Sequence, residues 1–306
     1  MDEGSRAQAF AVRVPASSAN LGPGFDAIGL ALDLYVRATV QPALDFSVSF
    51  KAGRSVPTNA GFENEIVRGM ERVLGAGVRP RIAILVDNAI PLGKGLGASA
   101  AGAALGISIG AELAAQRPSF DDLALYVCAI EGHPDNALPA LVGGVVVAAM
   151  RADDRPAFLR FDPPPGLHAV VAVPHLVLPT AAARALLPHA YDRADVVFNL
   201  QRAALLAASL ASGDLRVLRE ASADRVHQPY RAPLVPGFDE MLRFEMPGLE
   251  AVALSGAGPS VIALVSGNAA AIGEAMRGAF AREGIESDVY PLAIARGGAE
   301  VERLSA

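Results

Sequence analysis

The chain has few charged residues and a single cysteine. Charged residues make up 19% of its 306 residues and hydrophobic residues 52%, the reverse of the composition that keeps a chain disordered. Cys128 is the single cysteine, so neither an intrachain disulfide nor a paired-cysteine metal motif is possible, and we expect a reducing, cytoplasmic location. A chain of this length has room for two domains.

A basic surface and a long hydrophobic run are also lacking. Lysine and arginine number 26 against 32 aspartates and glutamates, a formal net charge of −6, which argues against binding to nucleic acid or to an anionic membrane. The apolar residues 137–150 contain Pro139 and two glycines and fall short of the roughly 20 residues that a spanning helix needs. The start of the chain is acidic, unlike a signal peptide. We therefore expect a soluble protein.

Strand and helix patterns alternate along both halves of the chain. Residues 168–173, for example, form a short apolar run that predicts a strand, and residues 64–74 have the apolar spacing of a helix. Proline and aspartate cluster over residues 151–166, where we place a domain boundary. The alternation predicts an α/β or α+β fold class, with one domain at residues 1–160 and a second at 161–306.

Two glycine-bearing segments stand next to predicted strands. Residues 16–26 are polar, follow a short strand and predict a loop. Gly93, Gly95 and Gly97 lie between a strand and a helix, where alternate glycines let backbone N–H groups converge and the helix N-terminus adds about half a positive charge. We interpret this second segment as a phosphate-binding loop; a glycine-rich turn that packs a helix against a sheet is the alternative. The loop residues are Pro91, Leu92, Gly93, Lys94, Gly95, Leu96, Gly97, Ala98, Ser99, Ala100 and Ala101.

Three known motifs fit this loop incompletely. The dinucleotide fingerprint is met by Gly93, Gly95 and Ala98, but no strand ending in an acid follows about 20 residues later. Lys94 is followed by glycine where a P-loop needs serine or threonine. The hydrolase elbow around Ser99 lacks a glycine at its last position. We adopt none of them, and an NAD-binding oxidoreductase stays open as an alternative.

The segment Glu131-Gly132-His133-Pro134-Asp135-Asn136 is polar and precedes an apolar run. The Glu131 carboxylate and the Ser99 hydroxyl are the hard oxygen ligands that Mg²⁺ prefers beside phosphates, so these two residues predict a magnesium site. A helix C-terminal turn with His133 and Asp135 as solvated caps is the alternative. None of the five histidines has zinc-motif spacing.

Six segments are informative together: residues 15–26 (PASSANLGPGFD), 131–136 (EGHPDN), 179–184 (PTAAAR), 227–231 (HQPYR), 234–238 (LVPGF) and 255–260 (SGAGPS). Taken together and in this order, they resemble the GHMP kinase superfamily of small-molecule kinases, and within it the homoserine kinases. The segments at 15–26, 179–184, 227–231 and 234–238 are particular to homoserine kinases. Ala98 replaces a serine that is usual in the family's phosphate loop, while Ser99 keeps the position of the metal-contacting serine.

The resemblance implies the GHMP kinase fold, with an N-terminal ribosomal-protein-S5-domain-2-like ATP domain and a C-terminal ferredoxin-like domain. It also implies ATP and Mg²⁺ as cofactors, L-homoserine as substrate and a homodimer. ATP phosphates are expected along residues 93–101. Residues expected at homoserine are Asn20, Asp26, His133, Asn136, Thr180, Arg184, Arg231 and Gly258. Asp26 and Asn20 suit the substrate ammonium, and an arginine pairs with its carboxylate; the alternative for each arginine is a surface charge.

The implied reaction transfers the γ-phosphoryl group of ATP to the homoserine hydroxyl in threonine biosynthesis. Such transfer depends on positioning and charge stabilisation, and the expected catalytic residues are Ser99, Glu131, Asp135 and Asn136. Asn136 is expected to orient the hydroxyl. Asp135 has the position of an aspartate base in mevalonate kinase-like relatives, whereas in homoserine kinases phosphate is thought to take the proton; its role stays open. A GHMP kinase for another alcohol and a non-catalytic amino-acid sensor are the remaining alternatives.

Overall fold

Two β-sheets form the framework of the chain. The structure is a computed structural model that describes residues 8–51, 60–178 and 180–304. The strands are β1 (Phe10–Asn20), β2 (Gly24–Pro42), β3 (Ser47–Phe50), β4 (Ile82–Asn88), β5 (Val145–Met150), β6 (Pro156–Phe161), β7 (His168–Pro174), β8 (Leu249–Leu254), β9 (Val261–Val265), β10 (Ser287–Ala293) and β11 (Glu300–Arg303). The helices are α1 (Ala60–Leu74), α2 (Ala98–Leu113), α3 (Phe120–Glu131), α4 (Pro134–Val142), α5 (Thr180–Ala185), α6 (Arg193–Ser212), α7 (Leu218–Ala221), α8 (Gln228–Arg231), α9 (Phe238–Met241) and α10 (Ala269–Arg282).

The first sheet has seven strands. Five of them follow the order β11-β1-β2-β4-β3; of the other two, β5 pairs with β2, and β6 pairs with β5. Strands β3 and β4 are parallel, and the other pairs are antiparallel. The loop expected at residues 16–26 is wrong, because β1 and β2 continue their pairing past Ser17 and Ser18 and leave only residues 21–23 as the turn. Both serines are buried and hydrogen-bonded, so their polarity does not mark a solvent-exposed loop.

Helix α2 is the central helix of this first layer. Nearly all residues of α2 are buried. Because most of them are also small, the backbone of α1 can approach α2 closely. A Cβ at Gly106 would lie 1.9 Å from the Ile66 carbonyl oxygen, so only glycine allows this helix–helix distance. Helices α2 and α4 pack on β1 and β2. The N-termini of both helices are thereby fixed at the same end of the sheet.

The second sheet has four antiparallel strands in the order β10-β7-β9-β8, covered by α10. The chain leaves the first sheet at Phe161 and enters the second at His168, close to the boundary expected from the sequence; the division into residues 1–160 and 161–306 stays a prediction. Strand β11 returns to the first sheet, where Arg303 is opposite Phe10. No helix in the described ranges is long and apolar enough to span a membrane.

Candidate active site

A cleft lies where elements of the two sheets meet. Its walls are the β1–β2 turn, the glycine loop before α2, the α3–α4 junction and parts of the second domain. The residues that line it are Asn20, Phe25, Asp26, Gly93, Lys94, Gly95, Leu96, Gly97, Ala98, Ser99, Glu131, His133, Asp135, Asn136, Arg184, Arg231, Gly256 and Ala257. The cleft therefore brings together most of the site residues expected from the sequence.

The glycine loop has its three alternate glycines in the left-handed region, with φ values of +67°, +77° and +63° at Gly93, Gly95 and Gly97. A Cβ at Gly97 would lie 2.0 Å from Ser17 Oγ, and one at Gly95 would lie 2.2 Å from the Ser255 carbonyl oxygen. Gly97 caps α2, and no side chain in the described part of the chain caps its first N–H groups. Those N–H groups suit an anion. The loop therefore packs closely against its neighbours through Gly95 and Gly97 and still offers N–H groups to a phosphate.

Four residues expected in this loop contribute no side chain to the cleft. Ala100 and Ala101 are fully buried in the core, and Pro91 and Leu92 lead into the loop without lining the cleft. Lys94 has a different role: its Nζ donates to the carbonyl oxygens of residues 174 and 176, at 2.9 and 2.6 Å. Burial lowers the pKa of Lys94. These two hydrogen bonds hold the glycine loop against the end of β7.

Ser99 and Glu131 meet as expected, since Ser99 Oγ donates to Glu131 Oε2 at 2.9 Å. Ser99 is in the first turn of α2, and Glu131 is the last residue of α3. Burial raises the pKa of Glu131, and the hydrogen bond from Ser99 opposes this shift. A cation at these two oxygens would stabilise the half-buried Glu131 carboxylate, and hard oxygen donors are the ligands of Mg²⁺. The donor set fits that ion.

The α3–α4 junction presents His133, Asp135 and Asn136. Asp135 Oδ1 is 2.8 Å from His133 Nδ1 and accepts from the Asn136 backbone N–H at 3.1 Å. The Asp135 side chain is 2% exposed, so it is not a solvated cap. Its hydrogen bond raises the pKa of His133. Ser17 Oγ donates to Asn136 Oδ1 at 2.9 Å, which leaves the Asn136 amide NH₂ for the cleft.

The strand ends on either side of the β1–β2 turn contribute Asn20 and Asp26, both in the left-handed region. Asn20 Nδ2 donates to the Gly256 carbonyl oxygen at 2.9 Å, and its Oδ1 accepts from the Asp26 backbone N–H at 3.0 Å. Asn20 therefore fixes the turn and joins it to the second domain. The Asp26 carboxylate accepts from Arg184 Nη2 through both oxygens, at 2.9 and 3.2 Å.

The two expected arginines differ in burial. The Arg184 side chain on α5 is 47% exposed, whereas Arg231 at the end of α8 is 2% exposed. The guanidinium of each lies over the Phe25 ring, 5.6 and 5.4 Å from its centroid. Burial, and next the charge of Arg184, lower the pKa of Arg231. Arg231 is a buried cation within the cleft, which excludes the surface-charge alternative for this residue.

Gly258 and Thr180 are the two expected substrate residues that remain. Gly258 is set back from the cleft: its carbonyl oxygen faces Gly95, and the same turn reaches the cleft through Gly256 and Ala257. Thr180 begins α5, but its side chain, and Pro179 before it, lie outside the described part of the chain. Sequence reasoning missed Phe25, Gly256 and Ala257 as lining residues. All three lie within the segments quoted above, so proximity to the expected residues was the available signal.

Comparison with known proteins shows the family of the chain. Residues 64–144 match the family described as GHMP kinases N terminal domain, and residues 206–282 match GHMP kinases C terminal. The chain is 42% identical over 306 residues to the homoserine kinase of Deinococcus radiodurans, covering 97% of this chain and 98% of that protein. The chain belongs to the homoserine kinases. Another member, from Solibacter usitatus, is 40% identical over 300 residues, covering 96% of this chain and 97% of the relative.

Solved structures of homoserine kinases share the whole architecture. The crystal structure of the enzyme from Cytophaga hutchinsonii has a TM-score of 0.82 and 29% identity, covering 98% of this chain and 99% of that one. L. major mevalonate kinase, at 14% identity and a TM-score of 0.63, shares the fold alone. The two-sheet α+β architecture is thus the GHMP kinase fold, an ATP-dependent kinase fold, with N- and C-terminal domains. The NAD-binding alternative is not retained, because the family matches are to kinases.

Proposed function

We propose that this homoserine kinase transfers the γ-phosphoryl group of ATP to the side-chain hydroxyl of L-homoserine, giving O-phospho-L-homoserine for threonine biosynthesis. One observation carries the proposal: a single cleft joins an uncapped helix N-terminus at Gly97 to the carboxylate–guanidinium pair of Asp26 and Arg184. The first suits phosphate. The second suits a ligand that carries both an ammonium and a carboxylate group.

The Asp26–Arg184 pair gives the proposed specificity. A zwitterion that reaches both residues exchanges one ion pair for three, with its ammonium at Asp26 and its carboxylate at Arg184 and Arg231. The existing pair is partly exposed, and such pairs stabilise a protein by only about 0–1 kcal/mol, so opening it costs little. A sugar or polyol has neither charge and would leave the buried guanidinium of Arg231 without an anion, which disfavours an uncharged alcohol as substrate.

For the transfer itself, the loop amides of residues 93–101 bind the ATP phosphates. Mg²⁺ would be held by Ser99 and Glu131, and when bound it neutralises charge on the phosphate oxygens. Asn136 donates through its amide to the homoserine hydroxyl oxygen and orients it toward the γ-phosphate. Asp135 Oδ1 already accepts two hydrogen bonds, so we assign Asp135 to shaping the junction and the hydroxyl proton to a phosphate oxygen.

The substrate proposal is tested by a coupled ATP-consumption assay with L-homoserine, mevalonate, galactose and shikimate. We expect the highest kcat/KM with L-homoserine. A higher value with any of the other three would overturn the substrate assignment. Binding of homoserine with no ATP consumption on any of the four would favour an amino-acid sensor instead.

We also propose that the protein is a homodimer and works in the cytoplasm. Helix α6 exposes an apolar face at Val196, Val197 and Leu200, which are 40%, 44% and 64% exposed, and such a face favours contact with a second copy. Light scattering should give twice the chain mass of 31.5 kDa and a single chain mass for Leu200→Asp. A monomeric unmodified protein would contradict the homodimer.

A further inference from the structure

His227 lies behind the cleft, fully buried, and both nitrogens of its ring have partners. Nε2 is 2.7 Å from the Gly22 carbonyl oxygen, and Nδ1 is 3.1 Å from Arg231 Nη1. A carbonyl oxygen can only accept and a guanidinium can only donate, so Nε2 must carry the proton and Nδ1 must accept. The surroundings thereby fix one neutral tautomer, and burial favours it by lowering the pKa of His227.

Asp224 fixes the backbone that carries this histidine. Its fully buried carboxylate accepts from the backbone N–H groups of Val226, His227 and Gln228, at 3.0, 3.0 and 2.6 Å. Asn199 Nδ2 donates to the same carboxylate at 2.8 Å. His227 thus stands at the start of α8, and its backbone cannot move without breaking these bonds.

The other contacts of Arg231 are weaker or less directional. Its guanidinium reaches the carbonyl oxygens of Ala183 and Gly256 only at 3.4 Å each. The Phe25 ring contacts both partners: it stacks on His227 with centroids 5.2 Å apart and lies under Arg231. The shortest directional contact that holds the guanidinium is therefore the one to His227.

We propose that His227 is a positioning residue for substrate recognition: its unprotonated Nδ1 holds the Arg231 guanidinium in the orientation that meets the substrate carboxylate. The inference rests on the proposed function, in which Arg231 binds that carboxylate. His227 touches neither substrate nor phosphate. Its loss should therefore weaken homoserine binding and leave ATP binding nearly unaltered.

Two amide variants separate the two ring nitrogens. Asparagine places its side-chain oxygen near the position of Nδ1, so His227→Asn keeps an acceptor for Arg231 and loses the donor to Gly22. Glutamine reaches the position of Nε2, so His227→Gln keeps that donor and loses the acceptor. Both variants lose the stacking on Phe25 equally, so they are matched in that respect.

Steady-state kinetics and thermal unfolding of both variants provide the test. We expect His227→Gln to raise the homoserine KM about tenfold or more, with the ATP KM within about twofold. His227→Asn should keep the homoserine KM within about threefold of the unmodified protein. Equal increases in both variants, in step with equal losses of melting temperature, would show that the ring only supports the fold and would overturn the inference.

Arg231→Leu separates this inference from the proposed function. If Arg231→Leu leaves the homoserine KM unchanged, the carboxylate is bound elsewhere and the proposed role of Arg231 fails. If Arg231→Leu raises it and adding His227→Gln raises it as much again, His227 does not act through Arg231. Nitrogen-15 NMR of the histidine ring in the unmodified protein needs no variant to fold, and a proton found on Nδ1 would also overturn the inference.

Discussion

Replacing Gly97 by alanine tests how tightly the phosphate loop packs against β1. The added Cβ would lie 2.0 Å from Ser17 Oγ, and Ser17 is fully buried and bonded to Asn136, so it can turn away only by breaking that hydrogen bond. Left-handed backbone costs a non-glycine residue about 1–2 kcal/mol, and an extra methyl group in a packed interior costs about 1–3 kcal/mol. Gly97→Ala should therefore lower the free energy of unfolding by roughly 2–5 kcal/mol. Its kcat should also fall, because Asn136 loses its partner.

Gly93→Ala is the matched control, because Gly93 has nearly the same φ but nothing within 4 Å of an added Cβ. Its free energy of unfolding should fall only by the cost of the left-handed backbone conformation, about 1–2 kcal/mol. Urea unfolding followed by circular dichroism measures both variants, and their difference of about 1–3 kcal/mol isolates the contact with Ser17. Equal losses in the two variants would refute a close contact between the loop and β1.

Four further predictions concern single side chains. Glu131→Gln should lower kcat far more than it changes the ATP KM, because the charge of a divalent cation counts most as the phosphoryl group leaves. Full activity of the unmodified protein in the presence of a metal chelator would contradict the role of Glu131 as a metal ligand. Arg184→Leu should raise the homoserine KM and spare the ATP KM, with Arg184→Lys intermediate; a homoserine KM within about twofold in both would place the carboxylate elsewhere. Asp135→Asn keeps an oxygen acceptor, so kcat should fall less than about tenfold, against the 10²–10⁴ expected for loss of a general base. Burial raises the pKa of Cys128 to about 12, so its thiol stays protonated at pH 8 and should react with an aromatic disulfide reagent only after unfolding; rapid reaction of the folded protein would contradict this.

Local patterns were enough to place the elements that carry the phosphate loop. Gly93, Gly95 and Gly97 were expected to lie between a strand and a helix, and α2 begins at Ala98. The Ser99–Glu131 contact was also predicted, and it needs only that α2 and α3 pack side by side. Alternate glycines and helix starts are short-range signals, so a single sequence contains them.

The partners that decide burial are distant in sequence and were not predictable. Ser17 meets Asn136, 119 positions away, and Ser18 meets Ser255, 237 positions away; without those partners a run of serines indicates a loop. Arg231 is buried only because His227 and carbonyl groups of two other segments surround it. Strand β11 was missed because its sequence is mostly charged and its partner is at the opposite end of the chain.

The pairing of β11 with β1 sets an order of events during translation. Phe10 is opposite Arg303, and Gln8 Nε2 donates to the Leu304 carbonyl oxygen at 3.1 Å, so β1 obtains its outer neighbour only after residues 300–303 have been synthesised. Until then the nascent chain presents an unpaired strand edge, which is a template for aggregation. A chain truncated before Glu300 would keep that edge permanently. Residues 300–303 thus protect the edge of β1 from other chains.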